Sequence, residues 1–177
     1  IYSALRATGA RLGAERRAEA LERELRDRLG RLAAAREGKP RPRALLLISH
    51  APGALREIYA AGRGTYLDEL LRLAGAENAL EDSPARYPLL SREFLLTARP
   101  DVIIDASFAE GAAGGGKQRE AVLREYGNLA GAAGTRALYV FSDDPDLLTP
   151  GPAAAAAAER LAALLHGEPP APQEARP

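Results

Sequence analysis

The side chains in this sequence that could do chemistry stand singly, far apart along the chain. Tyr87 precedes Pro88, and the residue before a proline is held extended rather than helical. An aromatic displayed that way can lie flat on a planar ligand and reach a polar group with its hydroxyl; the alternative is packing on its own domain. His50 is one of 2 histidines and follows an apolar run. It could be an axial ligand to an iron centre, or plain polar surface. Ser142 and Asp143 follow another such run. They could hydrogen-bond ligand amides or hydroxyls, or serve the turn at Asp144-Pro145. Arg63 and Tyr66 flank a helix start, where free backbone N–H groups favour a carboxylate or phosphate. Glu93 falls in the first turn of a short helix. There it complements the helix dipole or meets a cationic partner.

These groups do not assemble into a catalytic pattern. A non-haem metal site needs several convergent ligands, and no spaced His/Glu/Asp set exists. With Cys 0, disulfides, thiol chemistry and thiolate metal sites are excluded. The run from Gly111 to Lys117 suggests a phosphate loop, but Gln118 follows the lysine, so no hydroxyl is offered to magnesium. No Gly-x-Ser-x-Gly elbow is present for a serine nucleophile. Lys+Arg and Asp+Glu are both 24, a formal net charge of zero, which argues against a nucleic-acid footprint. The arginines crowding residues 11–31 alternate with acids and read as a solvated helix face. No apolar run approaches the ~20 residues needed to span a membrane. From these residues no catalytic motif, no resident cofactor and no metal site is expected.

The elements that must position these groups follow from local signals. Ala14 to Arg36 reads as one helix, roughly 34 Å long at ~1.5 Å per residue. Its stripe of Leu21, Leu25, Leu29 and Leu32 is narrow, and Glu19–Arg23, Glu22–Arg26 and Glu24–Arg28 are i,i+4 pairs. Gly38 to Pro42 breaks it. Ala44 to Ile48 is a buried strand. His50 to Gly62 reads as a loop, with a short helix as an option around Ala54–Ala60. Thr65 caps the next helix with Asp68 three residues on; Leu67, Leu70, Leu71 and Ala74 form its apolar face, and Gly75 ends it. Ser91 caps a short helix that Pro100 stops. Asp101 to Asp105 reads as a strand whose β-branched core, Val102-Ile103-Ile104, is of the kind covered on both faces. Residues 108–116 form a glycine-rich loop, and 117–126 a helix with Ala121, Val122 and Leu123 inward. Ala137 to Phe141 is a third strand, and Ala153 to His166 a terminal helix. The proline-rich stretch 167–177 is expected to be disordered. Strands alternating with helices predict an α/β lobe with a mostly parallel sheet, and ligands in such sheets sit beyond the carboxyl ends of the strands.

Four pieces in a fixed order carry a family resemblance. They are Gly62-Arg63-Gly64-Thr65-Tyr66, Leu73 to Asn78, Tyr87 to Glu93, and Arg99 to Ile104. Together they resemble the helical-backbone (class III) substrate-binding proteins of ABC importers for cobalamin, haem and iron-siderophores. The similarity extends from about Gly9 to about His166.

The resemblance implies a three-layer α/β lobe preceded by a long interlobe helix, with the N-terminal lobe missing. Residues 1–42 would be the end of the N-terminal region and the connecting helix, and 43–166 the C-terminal ligand-binding lobe. The implied function is capture of a metal chelate (cobalamin, haem or a ferric siderophore) and its delivery to a membrane permease. The implied location is periplasmic or membrane-anchored outside the cytoplasm, and the expected state is a monomer that binds no nucleic acid. The position of Tyr87 often holds an aromatic ligand contact in the family, and that of Glu93 pairs with permease arginines. The family's Pro-Gly-Pro-Arg reads Pro150-Gly151-Pro152-Ala153 here, so that arginine's role is lost. Two other readings stay open: a Rossmann-like enzyme lobe acting on a small polar substrate or nucleotide through His50 and the strand-end acids, and a ligand-free interaction domain.

Overall fold

A computed structural model describes residues 1–52, 54–107, 120–128, 138–141 and 146–167. The chain opens with α1 (Tyr2–Leu12), turns at Gly13 and continues into α2 (Glu15–Arg36). Gly13 has φ 64, a backbone region that costs glycine no Cβ clash. The two helices pack closely: a Cβ at Gly9 would lie 2.5 Å from the Ala18 Cβ. Glu22 fastens the pair. It accepts from Arg6 of α1 at 2.8 and 3.0 Å and from Arg26 at 2.8 Å, and the Arg26 guanidinium stacks 3.9 Å over the Tyr2 ring. Of the leucine stripe on α2 only Leu25 is fully buried, as a narrow apolar face requires.

The strands are β1 (Arg43–Ser49), β2 (Ile58–Ala60), β3 (Glu77–Asn78), β4 (Leu89–Leu90), β5 (Val102–Asp105) and β6 (Leu138–Phe141). They form one sheet in the order β4-β2-β1-β5-β6, with β3 also on β1. β1 pairs in parallel with β5 and β3, and β5 with β6. β2 and β4 run antiparallel along one edge. The mostly parallel sheet is thus as expected, but its edge is not. The stretch expected to be a loop or short helix contains β2 instead. Ile58, Tyr59 and Ala60 alternate buried, exposed, buried, the period of a half-buried strand, and the Leu47 and Ser49 end of β1 supplies the partner at an irregular register.

Helices cover both faces. On one face α3 (Tyr66–Leu73) and α6 (Ala154–His166) bury Leu67, Leu70, Leu71, Leu161 and Ala162 against Leu46 and Ile104, with α2 outside them. On the other, α4 (Arg92–Thr97) and α5 (120–128) enclose Leu45, Leu47, Ile103, Leu95, Val122 and Tyr126. Leu123 was expected inward with Val122 but is exposed; the inward pair is Val122 and Tyr126, the i,i+4 spacing of one helix face. Among the described residues no helix is long and apolar enough to cross a membrane.

Candidate functional site

Tyr87 lies on an extended ribbon rather than an isolated loop. β4 pairs Leu89 with Tyr59 and Leu90 with Ile58, and the ladder continues backwards: the Ala60 N–H donates to the Pro88 carbonyl at 3.3 Å and the Gly62 N–H to the Arg86 carbonyl at 2.8 Å. Alternation puts Tyr87 and Leu89 on one face, with Tyr59 opposite Leu89. All three are exposed, at 48, 60 and 42%. Aromatic and aliphatic side chains grouped in water on one face of a hydrogen-bonded ribbon make that face a candidate contact surface. The backbones approach so closely that a Cβ at Gly62 would sit 2.5 Å from the Ala85 carbonyl oxygen, which explains the glycine. At the far end of the ribbon Arg63 is exposed, and the Arg86 guanidinium donates to the Gly64 carbonyl at 2.8 Å. The rim therefore offers positive charge beside an apolar patch. Tyr66 is half-buried, packed against the α3 and α6 core.

The start of α3 is held from within. The Thr65 hydroxyl oxygen accepts from the Asp68 N–H at 3.1 Å. The Asp68 carboxylate accepts from the Gly64 N–H at 2.9 Å and from the Asn78 amide at 2.9 Å. Asn78 also donates to the Ala61 carbonyl at 3.1 Å and accepts from the Leu80 N–H at 2.9 Å. Asp68 and Asn78 are buried. The glycine-rich start and the distant asparagine thus form one polar lock. At α4 the Ser91 hydroxyl oxygen accepts from the Phe94 N–H at 3.2 Å, and Glu93 stays exposed. Its own backbone N–H and the Ser91 hydroxyl hold its carboxyl below the ordinary carboxylate range, so it presents a full negative charge to solvent.

His50 is not surface. Its side chain is 3% exposed and that of Asp105 1%. Nδ1 lies 2.8 Å from the Ala51 carbonyl, and Nε2 lies 3.0 Å from Asp105 Oδ2 and 2.8 Å from Ser107 Oγ. Asp105 also accepts from the Ser107 hydroxyl at 2.6 Å, the Ser107 N–H at 3.0 Å and the Tyr126 hydroxyl at 3.0 Å. Both ring nitrogens are engaged inside the protein, so in this geometry neither faces a ligand as axial iron ligation requires. A serine, a histidine and an aspartate meet here, yet not as a hydrolase triad, where acid and nucleophile bond opposite ring nitrogens. Here both bond Nε2.

The structure therefore groups Tyr87 with Tyr59, Leu89 and the Arg63 rim, sets Glu93 apart on α4, and buries His50. Ser142 and Asp143 lie outside the described residues, as do the glycine-rich run 111–117 and the tail 168–177. Tyr59, Leu89, Asp105 and Tyr126 were not singled out from the sequence, whereas Ser107 stands at a strand end where a site was expected. Asp105 ending a fully apolar strand was the one available signal. Among the described residues no group of three or more His, Cys, Asp or Glu could hold a metal ion.

Residues 1–145 match the model of the family described as periplasmic binding protein. The chain belongs to the periplasmic binding protein family. Solved structures agree with that fold. An ABC transporter substrate-binding protein from Listeria monocytogenes superposes with TM-score 0.76 at 21% identity, covering 94% of this chain and 64% of that one. A periplasmic heme binding protein from Pseudomonas aeruginosa gives 0.73 at 33% identity over 94% of this chain and 59% of that one. The periplasmic heme binding protein HutB of Vibrio cholerae gives 0.70 at 27% identity over 89% and 60%. The chain thus spans about 60% of the length of these structures. A search of curated proteins returned no match. The family is one of binding proteins, and the enzyme alternative finds no support in it.

Proposed function

We propose that the chain is the C-terminal, ligand-contacting lobe of an ABC importer's substrate-binding protein, acting outside the cytoplasm without catalysis. It takes a metal chelate as cargo and hands it to a membrane permease. The observation that carries this reading is the exposed Tyr59, Tyr87 and Leu89 face on a hydrogen-bonded ribbon, with Arg63 exposed where the ribbon ends. A flat, largely apolar chelate with anionic substituents suits that surface: the rings stack, and the guanidinium meets the carboxylates. Haem is favoured over cobalamin or a ferric siderophore. The two neighbours above that exceed 25% identity are both described as heme binding proteins, and the arginine rim suits a carboxylate-bearing ligand. The family and its periplasmic neighbours support the location.

Absorbance titration of the full-length protein with haemin, cyanocobalamin and a ferric hydroxamate tests the reading. Haemin is expected to shift its Soret band on binding. Tyr87→Ala, which removes about 1.4 kcal/mol or more of stacking and burial, is expected to weaken affinity about tenfold. No spectral change with any of the three chelates overturns it.

A further inference from the structure

We propose that His50 is a proton-dependent latch that fastens the described residues between β1 and β2, 50–52 and 54–57, to the carboxyl end of β5 and so sets the position of β2. The loop leaves β1 at Ser49 and enters β2 at Ile58. It is stitched by its own backbone: the Ala51 N–H donates to the Arg56 carbonyl at 2.8 Å, the Ala54 N–H to the Ala51 carbonyl at 3.1 Å, and the Arg56 N–H to the Ala54 carbonyl at 3.0 Å. Its exit residue, Glu57, holds φ 53, a left-handed backbone that a non-glycine residue adopts only when its surroundings impose it. Its described anchors are few. Leu55 is buried in the core cluster that also holds Val122 and Tyr126 of α5, the Leu55 N–H donates to Glu125 Oε2 at 2.9 Å, and His50 reaches Asp105.

The latch depends on protons because of what His50 faces. Nδ1 meets a carbonyl; Nε2 meets the Asp105 carboxylate and the Ser107 hydroxyl oxygen, whose own proton goes to Asp105 at 2.6 Å, so each nitrogen faces acceptors. The doubly protonated ring satisfies both. Loss of the Nδ1 proton sets a lone pair against the Ala51 carbonyl 2.8 Å away. Loss of the Nε2 proton sets one against Asp105 Oδ2 at 3.0 Å. The described titratable groups around the ring are Asp105 on β5, and Tyr126 and Glu125 on α5. Tyr126 donates to Asp105, and Glu125 is committed to the Leu55 amide. Burial, the largest single influence on His50, opposes its charge, but the Asp105 hydrogen bond and charge and the Ala51 and Ala54 carbonyls outweigh it and raise its pKa. Burial likewise opposes the Asp105 charge, and His50 and Ser107 outweigh it and lower the pKa.

The direction of the pH effect follows. The raised histidine gives stability that is fully present below its unfolded value near ~6.5 and is lost as pH rises through the folded value. The lowered aspartate gives stability present above its unfolded value of about 3.9, lost as pH falls through the folded value. The latch is therefore closed between the lowered Asp105 value and the raised His50 value, and it opens as pH rises through the latter. This rests on the buried cluster alone and not on the identity of any ligand.

The experiment follows the His50 ring proton by NMR on the wild-type chain from mildly acid to alkaline pH. In parallel it measures amide protection at Ala51, Leu55 and Arg56, corrected for intrinsic exchange. The expected result is a His50 midpoint above its ordinary value and a fall in protection of about tenfold through that same midpoint. His50→Gln is expected to abolish the step. Asp105→Asn, read only through the ring proton, is expected to bring the midpoint back to or below the ordinary value. Protection that stays constant through the His50 titration overturns the proposal. So does a step that persists in His50→Gln, or a midpoint unmoved in Asp105→Asn.

Discussion

Two helix starts in this protein are written with the same chemistry and used in opposite ways. α3 begins with Thr65 and carries Asp68 in its first turn; α4 begins with Ser91 and carries Glu93. Each hydroxyl oxygen accepts from a backbone N–H three residues on. At α3 the acid is then buried, and Gly64 and Asn78 bind it. At α4 the acid is left in solvent. A cap motif thus fixes where a helix starts, while the packing around it decides whether its acid becomes part of the frame or stays a charge in solvent.

The strongest test of that contrast removes the partner that makes α3 internal. Asn78→Ala strips a donor from Asp68 and from the Ala61 carbonyl and an acceptor from the Leu80 N–H. Groups left unsatisfied in the interior cost about 1–3 kcal/mol each, so a loss of about 3 kcal/mol is expected in urea unfolding. A loss below about 1 kcal/mol would mean that water replaces the lock and α3 is no more internal than α4.

A paired measurement sharpens it. Thr65→Ala should cost about 1–2 kcal/mol because the cap is buried, and Ser91→Ala about 0.5–1 kcal/mol because water replaces an exposed cap. Equal costs would erase the distinction. The smallest effect on stability is expected at Glu93. Glu93→Gln should change unfolding by less than about 0.5 kcal/mol and leave haemin affinity unchanged. It should lower transport by the reconstituted permease, because it removes a steering charge. A drop in haemin affinity instead would place Glu93 in the ligand site.

Much of the frame was legible in the chain. The helix α2, both caps, the Gly75 stop and the strand at Val102-Ile103-Ile104 all follow from signals within a few residues of each other, and the structure holds them at those positions. β2 was not legible: three residues beside a proline- and glycine-bearing loop are too short to show a period, and their pairing partner at Leu89 and Leu90 lies some thirty positions away. The candidate site was read only in part for the same reason. Tyr87 announced itself through the proline after it, whereas Tyr59 gains its meaning from standing opposite Leu89. His50 was read as surface or as an iron ligand because nothing near it in sequence reveals Asp105, a partner 55 positions on.

The chain's own local signals set the long helix, the capped starts of α3 and α4, the strands β1 and β5 and the family, since caps, stops and apolar periods act through neighbouring backbone groups. What tertiary structure alone decided is burial. The parallel pairing of β1 with β5 carries His50 to Asp105, and the lock at Asn78 takes Asp68 inside. The short ribbon at the sheet edge leaves Tyr59, Tyr87 and Leu89 in water. Those outcomes depend on contacts between distant segments, and it is the solvent removed or left by those contacts that decides which side chains become buried frame and which stay exposed.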